Sequence, residues 1–497
     1  MFDMTTMRRL LPAMTALLLI PAVTAAQDAA EVLQRAAEAM GASDLKSLRY
    51  TDDGFGYTYG QAFKPGMAWP KITIHSHSRT LNYESASMRD EITMSRAEPK
   101  GGGGYPPVAQ QKNDQFISGA HAWNQTAGGP VAGPRFINDR THQLWITPHG
   151  VIKAAIRNYA TLQKPDRSGR SGKGGNGGKA LTAVMFSEPG RFIATAYINA
   201  ENLVERVESR MPDTVLGETN ATTLYSEYRA FGAVKFPMRI QQSQGGFPVL
   251  DVTVKEVEPN VPADIQVPDA VRTAPEKVTA DKIAEGVWFI AGASHNSVAI
   301  EMSDHLILVE SPLNDGRAVP VIEQAKNLAP GKPLRYLINS HQHFDHSGGV
   351  RAAAAEGAII VTHAGNVPYY ERAFALQSKI APDQFARSGK KAKFKAVQDN
   401  LVLTDGARTI EIHRIKGSVH NDTFLMVYLP AEKLLIEADA YTPQAPNAPP
   451  PSPPNPNNVN LVENIERLKL TIDKILPLHG RVVPIAELYA AVGKTMP

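Results

Sequence analysis

From His341 to His346 the chain reads HQHFDH, three imidazoles and one carboxylate within six residues, with Ser347, Gly348 and Gly349 directly after. Imidazole nitrogens and carboxylate oxygens are the usual donors to divalent metal ions. Left bare, such a cluster repels itself when protonated and loses hydration when buried; a bound cation removes both costs. The preceding run LRYLINS reads as a strand, so HQH continues from its C-terminal end in extended chain. Alternate residues of an extended chain share a face, which lets His341 and His343 reach one ion from the same side. Ser347, Gly348 and Gly349 then allow a tight turn into a helix. That turn leaves Asp345 and His346 beside the first pair but aimed at a neighbouring point. Two ions side by side satisfy both sets. Nitrogen-rich ligands with carboxylates favour zinc, with iron and manganese as alternatives.

HQHFDH resembles the H-x-H-x-D-H signature of the metallo-β-lactamase superfamily. Three later segments resemble that family's remaining ligand segments, in order: IKGSVHNDTFLMVYLP with His420, KLLIEADAY with Asp439, and KILPLHG with His479. The resemblance extends over about 278–497 and implies an α/β fold, a four-layer αββα sandwich with the site along one edge of its two sheets. It implies two Zn2+ per chain. His341, His343 and His420 would hold one ion, Asp345, His346 and His479 the other, and Asp439 would bridge them. It also implies a hydrolase whose bridging hydroxide attacks the carbonyl of a small ester, lactone, thioester or amide, β-lactams included. Asp345 is the candidate to orient the nucleophile and pass a proton to the leaving group. Tyr441, two residues beyond Asp439, is a candidate to reach a substrate oxygen. The chain has no cysteine, which excludes the branches with a cysteine ligand. Flavodiiron-type relatives carry glutamate at the position of His343, and all-histidine lactamases usually carry serine at that of Asp439. The pattern therefore leans toward thioesterases, lactonases and other esterases. Two further readings are a mononuclear iron dioxygenase of the same superfamily and an apolar-ligand binding protein with a structural metal.

The elements that must position these residues change character near Pro275. Residues 276–497 alternate short apolar strands with helices, including a helix around Ala318–Leu328, and contain one proline-rich stretch, TPQAPNAPPPSPPNPNN, expected as an extended surface loop. Residues 27–275 open with a helix to Met40 and continue as alternating runs such as KITIHSHSRTLNY and LDVTVKEVEPN. These predict a mostly antiparallel β domain with a few helices. Its pattern resembles the half-barrel sheets of periplasmic lipoprotein carriers, whose concave face holds acyl chains; a plain scaffold covering the pocket is the alternative. Trp123 and Tyr105 are candidate pocket-wall aromatics. His75 and His77 form a second H-x-H with no D-H pair after it, so a solvated or packed strand face is expected. His363 and His413 read as packing or supporting residues, and His295 and Asn296 as pocket or turn residues.

Composition narrows the partners. A formal net charge of +3 over 497 residues gives no electrostatic case for nucleic acid. Arg8, Arg9, the apolar stretch Leu10–Val23 and the small residues before Gln27 read as an export signal over 1–26. No later run is apolar enough for a membrane anchor. The expected setting is periplasmic or secreted, with a small-molecule carbonyl substrate and no disulfides. Oligomeric state is not legible.

Overall fold

The structure is a computed structural model that describes residues 20–98, 110–163, 181–274, 278–292, 294–446 and 448–496. The glycine-rich runs PKGGGGYPP (99–107, with Tyr105) and RSGRSGKGGNGGK (167–179), which read as loops, and residues 1–19 of the expected leader lie outside these. The first helix spans Ile20–Met40, starting earlier than the expected Gln27.

The N-terminal unit is one thirteen-stranded antiparallel sheet. Its first strand, Ser47–Tyr57, pairs with its last, Phe247–Pro259, at the middle of the sheet, and the remaining strands run outward on either side as meanders. The strand Gly217–Phe231 shows why these residues form such a sheet. Thr219, Ala221, Thr223 and Tyr225 point to the buried face, while Asn220, Leu224 and Ser226 are exposed. One apolar core joins the sheet to Leu33, Ala36 and Met40 of the first helix and to Val151, Ile152 and Ala155 of the helix Pro148–Arg157. Thr147 caps that helix by accepting from the Gly150 amide, with Pro148 at its first position.

The C-terminal unit begins at the strand Thr279–Ala284 and holds a seven-stranded and a six-stranded sheet. Period-two alternation divides the first sheet's side chains between two cores. Val298, Ile300, Ile307, Val309, Ile338 and Val361 pack with the second sheet. Ala299, Leu306, Leu308, Leu337 and Ile360 pack with the helices Asp315–Leu328 and Val350–Glu356. Four strands run parallel, from Leu306–Val309 through the edge strand Lys393–Val397, and the first three are largely buried. Among its described residues, the proline-rich stretch carries no helix or strand until the helix Pro456–Leu468.

Candidate metal centre

The seven expected ligands sit in the segments that connect strands to the elements after them. His341 and His343 follow the strand Leu334–Ile338 and are completely buried. A helical turn, Phe344–Ser347, starts immediately after His343 and carries Asp345 and His346. The turn therefore precedes the glycines. Gly348 and Gly349 have ordinary negative φ values of −64° and −103°. They are required by close approach, because a Cβ on Gly348 would overlap the Leu313 carbonyl and one on Gly349 the Ser311 carbonyl and the Ala318 methyl. His420 lies in the loop before the strand Leu425–Leu429, Asp439 follows Leu434–Glu437, and His479 follows Lys474–Pro477.

These remote segments converge on Asp439. Its Oδ2 lies 2.8 Å from His346 Nε2 and 3.3 Å from both His341 Nε2 and His420 Nε2, while Oδ1 lies 3.1 Å from His479 Nε2. Donor atoms of His341, His343, His420 and Asp439 lie within 4.8 Å of one another, and so do those of His295, Asp345, His346 and His479. His295 is the residue whose place here the sequence left open. Its Nε2 lies 3.2 Å from Asp345 Oδ2, and its Nδ1 2.7 Å from Ser294 Oγ. Asn296 beside it fixes the His479 segment, its Nδ2 donating to the Pro477 and Gly480 carbonyls.

The protonation pattern also follows from geometry. Burial, reinforced by the neighbouring imidazoles, holds His341 well below the ordinary histidine range and brings His343 to about 3. Burial opposes charge on His346 as well, but the Asp439 and Asp345 carboxylates outweigh it and raise that group. His346 in turn holds both carboxyls well below their ordinary range against their burial, helped by His295 at Asp345 and by His479 and His420 at Asp439. Neutral imidazole nitrogens and anionic oxygens are the forms that ligate metals. His343 supplies a direct test of fit. Its Nε2 donates to the Ala62 carbonyl at 3.1 Å, and its buried Nδ1 has no partner. An orphaned lone pair facing this donor set is what a cation would satisfy. Behind the donors, Glu310 accepts from His346 Nδ1 at 2.7 Å and from Ser340 Oγ and the Ser340 amide at 2.9 Å each. A carboxylate on the outer nitrogen fixes the ring and its tautomer. Nothing in HLILVESP marks Glu310 for that task by spacing.

Residues 291–479 match the family described as the Metallo-beta-lactamase superfamily. This part of the chain is a member of it. Among solved structures, the chain is similar to the DIM-1 metallo-beta-lactamase, with 17% identity over 44% of this chain and 96% of that one and a TM-score of 0.34. It is similar to the FIM-1 enzyme from Pseudomonas aeruginosa in its mono-zinc form, with 19% identity over 44% and 96% and a TM-score of 0.32. It is also similar to rubredoxin oxygen:oxidoreductase from Desulfovibrio gigas, with 16% identity over 43% and 61% and a TM-score of 0.35. Comparison with curated proteins gives no match.

The metallo-β-lactamase unit is not self-contained at this site. The loop after the central strand Ser47–Tyr57 of the N-terminal sheet docks on the metal motif. Gln61 Nε2 donates to Asp345 Oδ1 at 2.7 Å. The Ala62 carbonyl accepts from Gln342 Nε2 at 2.8 Å as well as from His343. Phe344 packs edge-on against Tyr59 and Trp69, with ring centroids 5.2 and 5.8 Å away. Gly60 (φ +78°) comes so close that a Cβ would lie 2.5 Å from the Phe344 ring. No residue of YGQAF had suggested a contact 280 positions away.

Other expectations fall elsewhere. Tyr441 does not reach a substrate space: it is 3% exposed and belongs to the core of the metallo-β-lactamase unit. Trp123 is core, stacked on Phe116 at 4.9 Å. His77 is buried between Asp52 (2.9 Å) and Asp90 (3.3 Å), and His75 is exposed beside Ser95. His363 accepts from the Gly365 amide and His413 pairs with Glu411. Asp345 opens on a cleft of about 1060 Å³ whose walls come from both units, among them Gln61, Arg135, Leu313 and Phe344.

Proposed function

We propose that the protein is an exported dinuclear zinc hydrolase acting on an ester, lactone, thioester or amide carbonyl. We read its C-terminal unit as a four-layer αββα sandwich, which the division of side chains between two cores supports. The single observation that carries the functional reading is the donor set: two groups of nitrogen and oxygen atoms that share the neighbourhood of Asp439, with the buried Nδ1 of His343 unpaired.

The residues sort into tasks. His341, His343 and His420 would hold one ion, Asp345, His346 and His479 the other, with Asp439 between them. Bound there, divalent ions would lower the pKa of a water and polarise a carbonyl oxygen. Asp345 is half-buried and opens on the cleft, so its carboxylate can orient the attacking water and carry a proton to the leaving group. Gln61 and His295 hold its two oxygens in different directions. Glu310 orients His346, and the Ala62 carbonyl orients His343. His479 Nδ1 donates to the Ser294 carbonyl at 2.9 Å, which leaves Nε2 facing Asp439.

The test is metal content together with a screen of chromogenic esters, lactones, thioesters and β-lactams. Two zinc ions per chain and hydrolysis of at least one carbonyl class are expected. His343→Ala should bind less metal and lose at least ~100-fold in kcat/KM, the usual scale for losing an electrostatic element of a hydrolytic site. Full activity in that variant or in the metal-stripped protein would refute the reading. One bound iron and no hydrolysis would favour the dioxygenase alternative.

A further inference from the structure

The cleft in front of Asp345 is large and built by two units. Its volume of about 1060 Å³ is at the top of the range for small-molecule sites, more than a small ester fills. Most of the N-terminal wall is polar and already paired. Arg79 makes two hydrogen bonds to Asp90, at 2.6 and 2.8 Å, so the two charges offset each other. Arg140 is buried and spends its donors on the Phe116 and Trp123 carbonyls and on Asn124. Arg191 donates to Asn138. Two of the cleft carboxylates are engaged too: Asp213 accepts from Tyr59 and from the Val215 amide, and Asp383 of the C-terminal unit pairs with Arg351.

Arg135 differs. It is exposed to the cleft, and among the described residues its guanidinium has no carboxylate or hydrogen-bond partner. It is not loose, however. Its guanidinium lies 4.4 Å from the centroid of the Phe136 ring, which Arg140 also approaches at 4.6 Å. Stacking of this kind holds an arginine in place while leaving its donors free. The turn beneath is tight: Gly133 donates to the Ala122 carbonyl and accepts from Phe136, and a Cβ on Gly133 would lie 2.7 Å from the Phe136 ring. Arg135 is also close enough to Asp345 for that carboxylate to act on it.

We propose that this cleft is the substrate site of the metal centre, and that Arg135 recognises a carboxylate the substrate carries beyond the bond to be cleaved. The cleavage part rests on the hydrolase reading above; the recognition part does not. A stacked guanidinium with a free fork matches one planar monoanion. A dianionic phosphate would call for more cationic donors than the one guanidinium this wall leaves unengaged. The paired polar wall of Arg79, Asp90, Gln143 and Gln242 also suits a hydrophilic body better than an acyl chain.

The test uses the full chain loaded with zinc and two matched probes, the mono-p-nitrophenyl ester of glutaric acid and its methyl ester. The free acid should be preferred roughly tenfold in kcat/KM, the scale of one charge-assisted contact. Arg135→Ala should remove the preference through KM, and Arg135→Lys should keep part of it. Arg387, the other cleft arginine whose guanidinium has no hydrogen-bond partner among the described residues, is the control. No preference in the wild type, a preference that survives Arg135→Ala, or one lost in Arg387→Ala instead would overturn the inference. If neither ester is cleaved, calorimetry with glutarate separates the two claims. Roughly tenfold weaker binding in Arg135→Ala upholds the recognition site while the hydrolase reading falls, and equal binding overturns the recognition site itself.

Discussion

At the scale of single residues, the most informative contact is one between units. Gln61 holds Asp345 Oδ1 at 2.7 Å and so turns Oδ2 toward His295 and His346. A carboxylate freed from that donor gains orientations that do not ligate. Gln61→Ala should therefore weaken the second metal by ~10-fold or more while sparing the first, the usual cost of losing an outer partner of a metal ligand. Stepwise chelator competition reads this directly. Lys64→Ala, which removes the ion pair to Asp422 from the same loop, is the control for simple detachment. An equal effect in both variants would mean that the loop, not the amide, matters. The ligands themselves were legible because metal chemistry restricts them to histidine and aspartate in recognisable segments. Gln61, Ala62 and Glu310 were not, because a hydrogen-bonded support can be any donor or acceptor and leaves no spacing behind. Tyr441 misled for the opposite reason: proximity in sequence to Asp439 says nothing about which side of a strand end faces the solvent.

At the scale of elements, alternation made most strands readable, since a half-buried sheet imposes period two on its residues. It failed for strands such as Gln111–Ser118, QKNDQFIS, which is polar on both faces and stands near the edge of the thirteen-stranded sheet. The strand Lys71–Asn82 was readable as a strand, but its content was not. His77 on it is buried with Asp52 and Asp90, and Arg79 clamps Asp90. Burial pulls the His77 pKa down, yet the two carboxylates outweigh it and lift it to about 9. A group raised in the folded state stabilises the fold fully below its unfolded value near 6.5, and that stability is lost as pH rises through about 9. Melts of the wild type between pH 6 and ~9.5 should show this loss, on the order of a few kcal/mol at most. His77→Gln should be less stable at pH 6 and flatter across that range. A variant with the same pH slope as the wild type would place the titration elsewhere.

At the scale of the whole molecule, the question is whether the two units melt as one. The N-terminal sheet contributes no metal ligand, but it grips the motif that carries four of them. The Ala62 carbonyl holds His343, the Gly60 carbonyl accepts from the Phe344 amide at 3.1 Å, and Tyr59 and Trp69 enclose the Phe344 ring. Metal binding to the folded motif should therefore stabilise both units through these contacts. A ligand at ~100 times its Kd adds about 2.7 kcal/mol to whatever unfolds with its site. Calorimetry of the zinc-loaded chain should show one transition, which chelation moves down by several degrees as a whole. Gly60→Ala should uncouple the units, because residue 60 has positive φ and a methyl there would overlap the Phe344 ring. In that variant the chelator should shift only the part of the trace that belongs to the metallo-β-lactamase unit. Two transitions in the wild type, only one of them sensitive to chelator, would show that the loop contacts transmit no stability between the units.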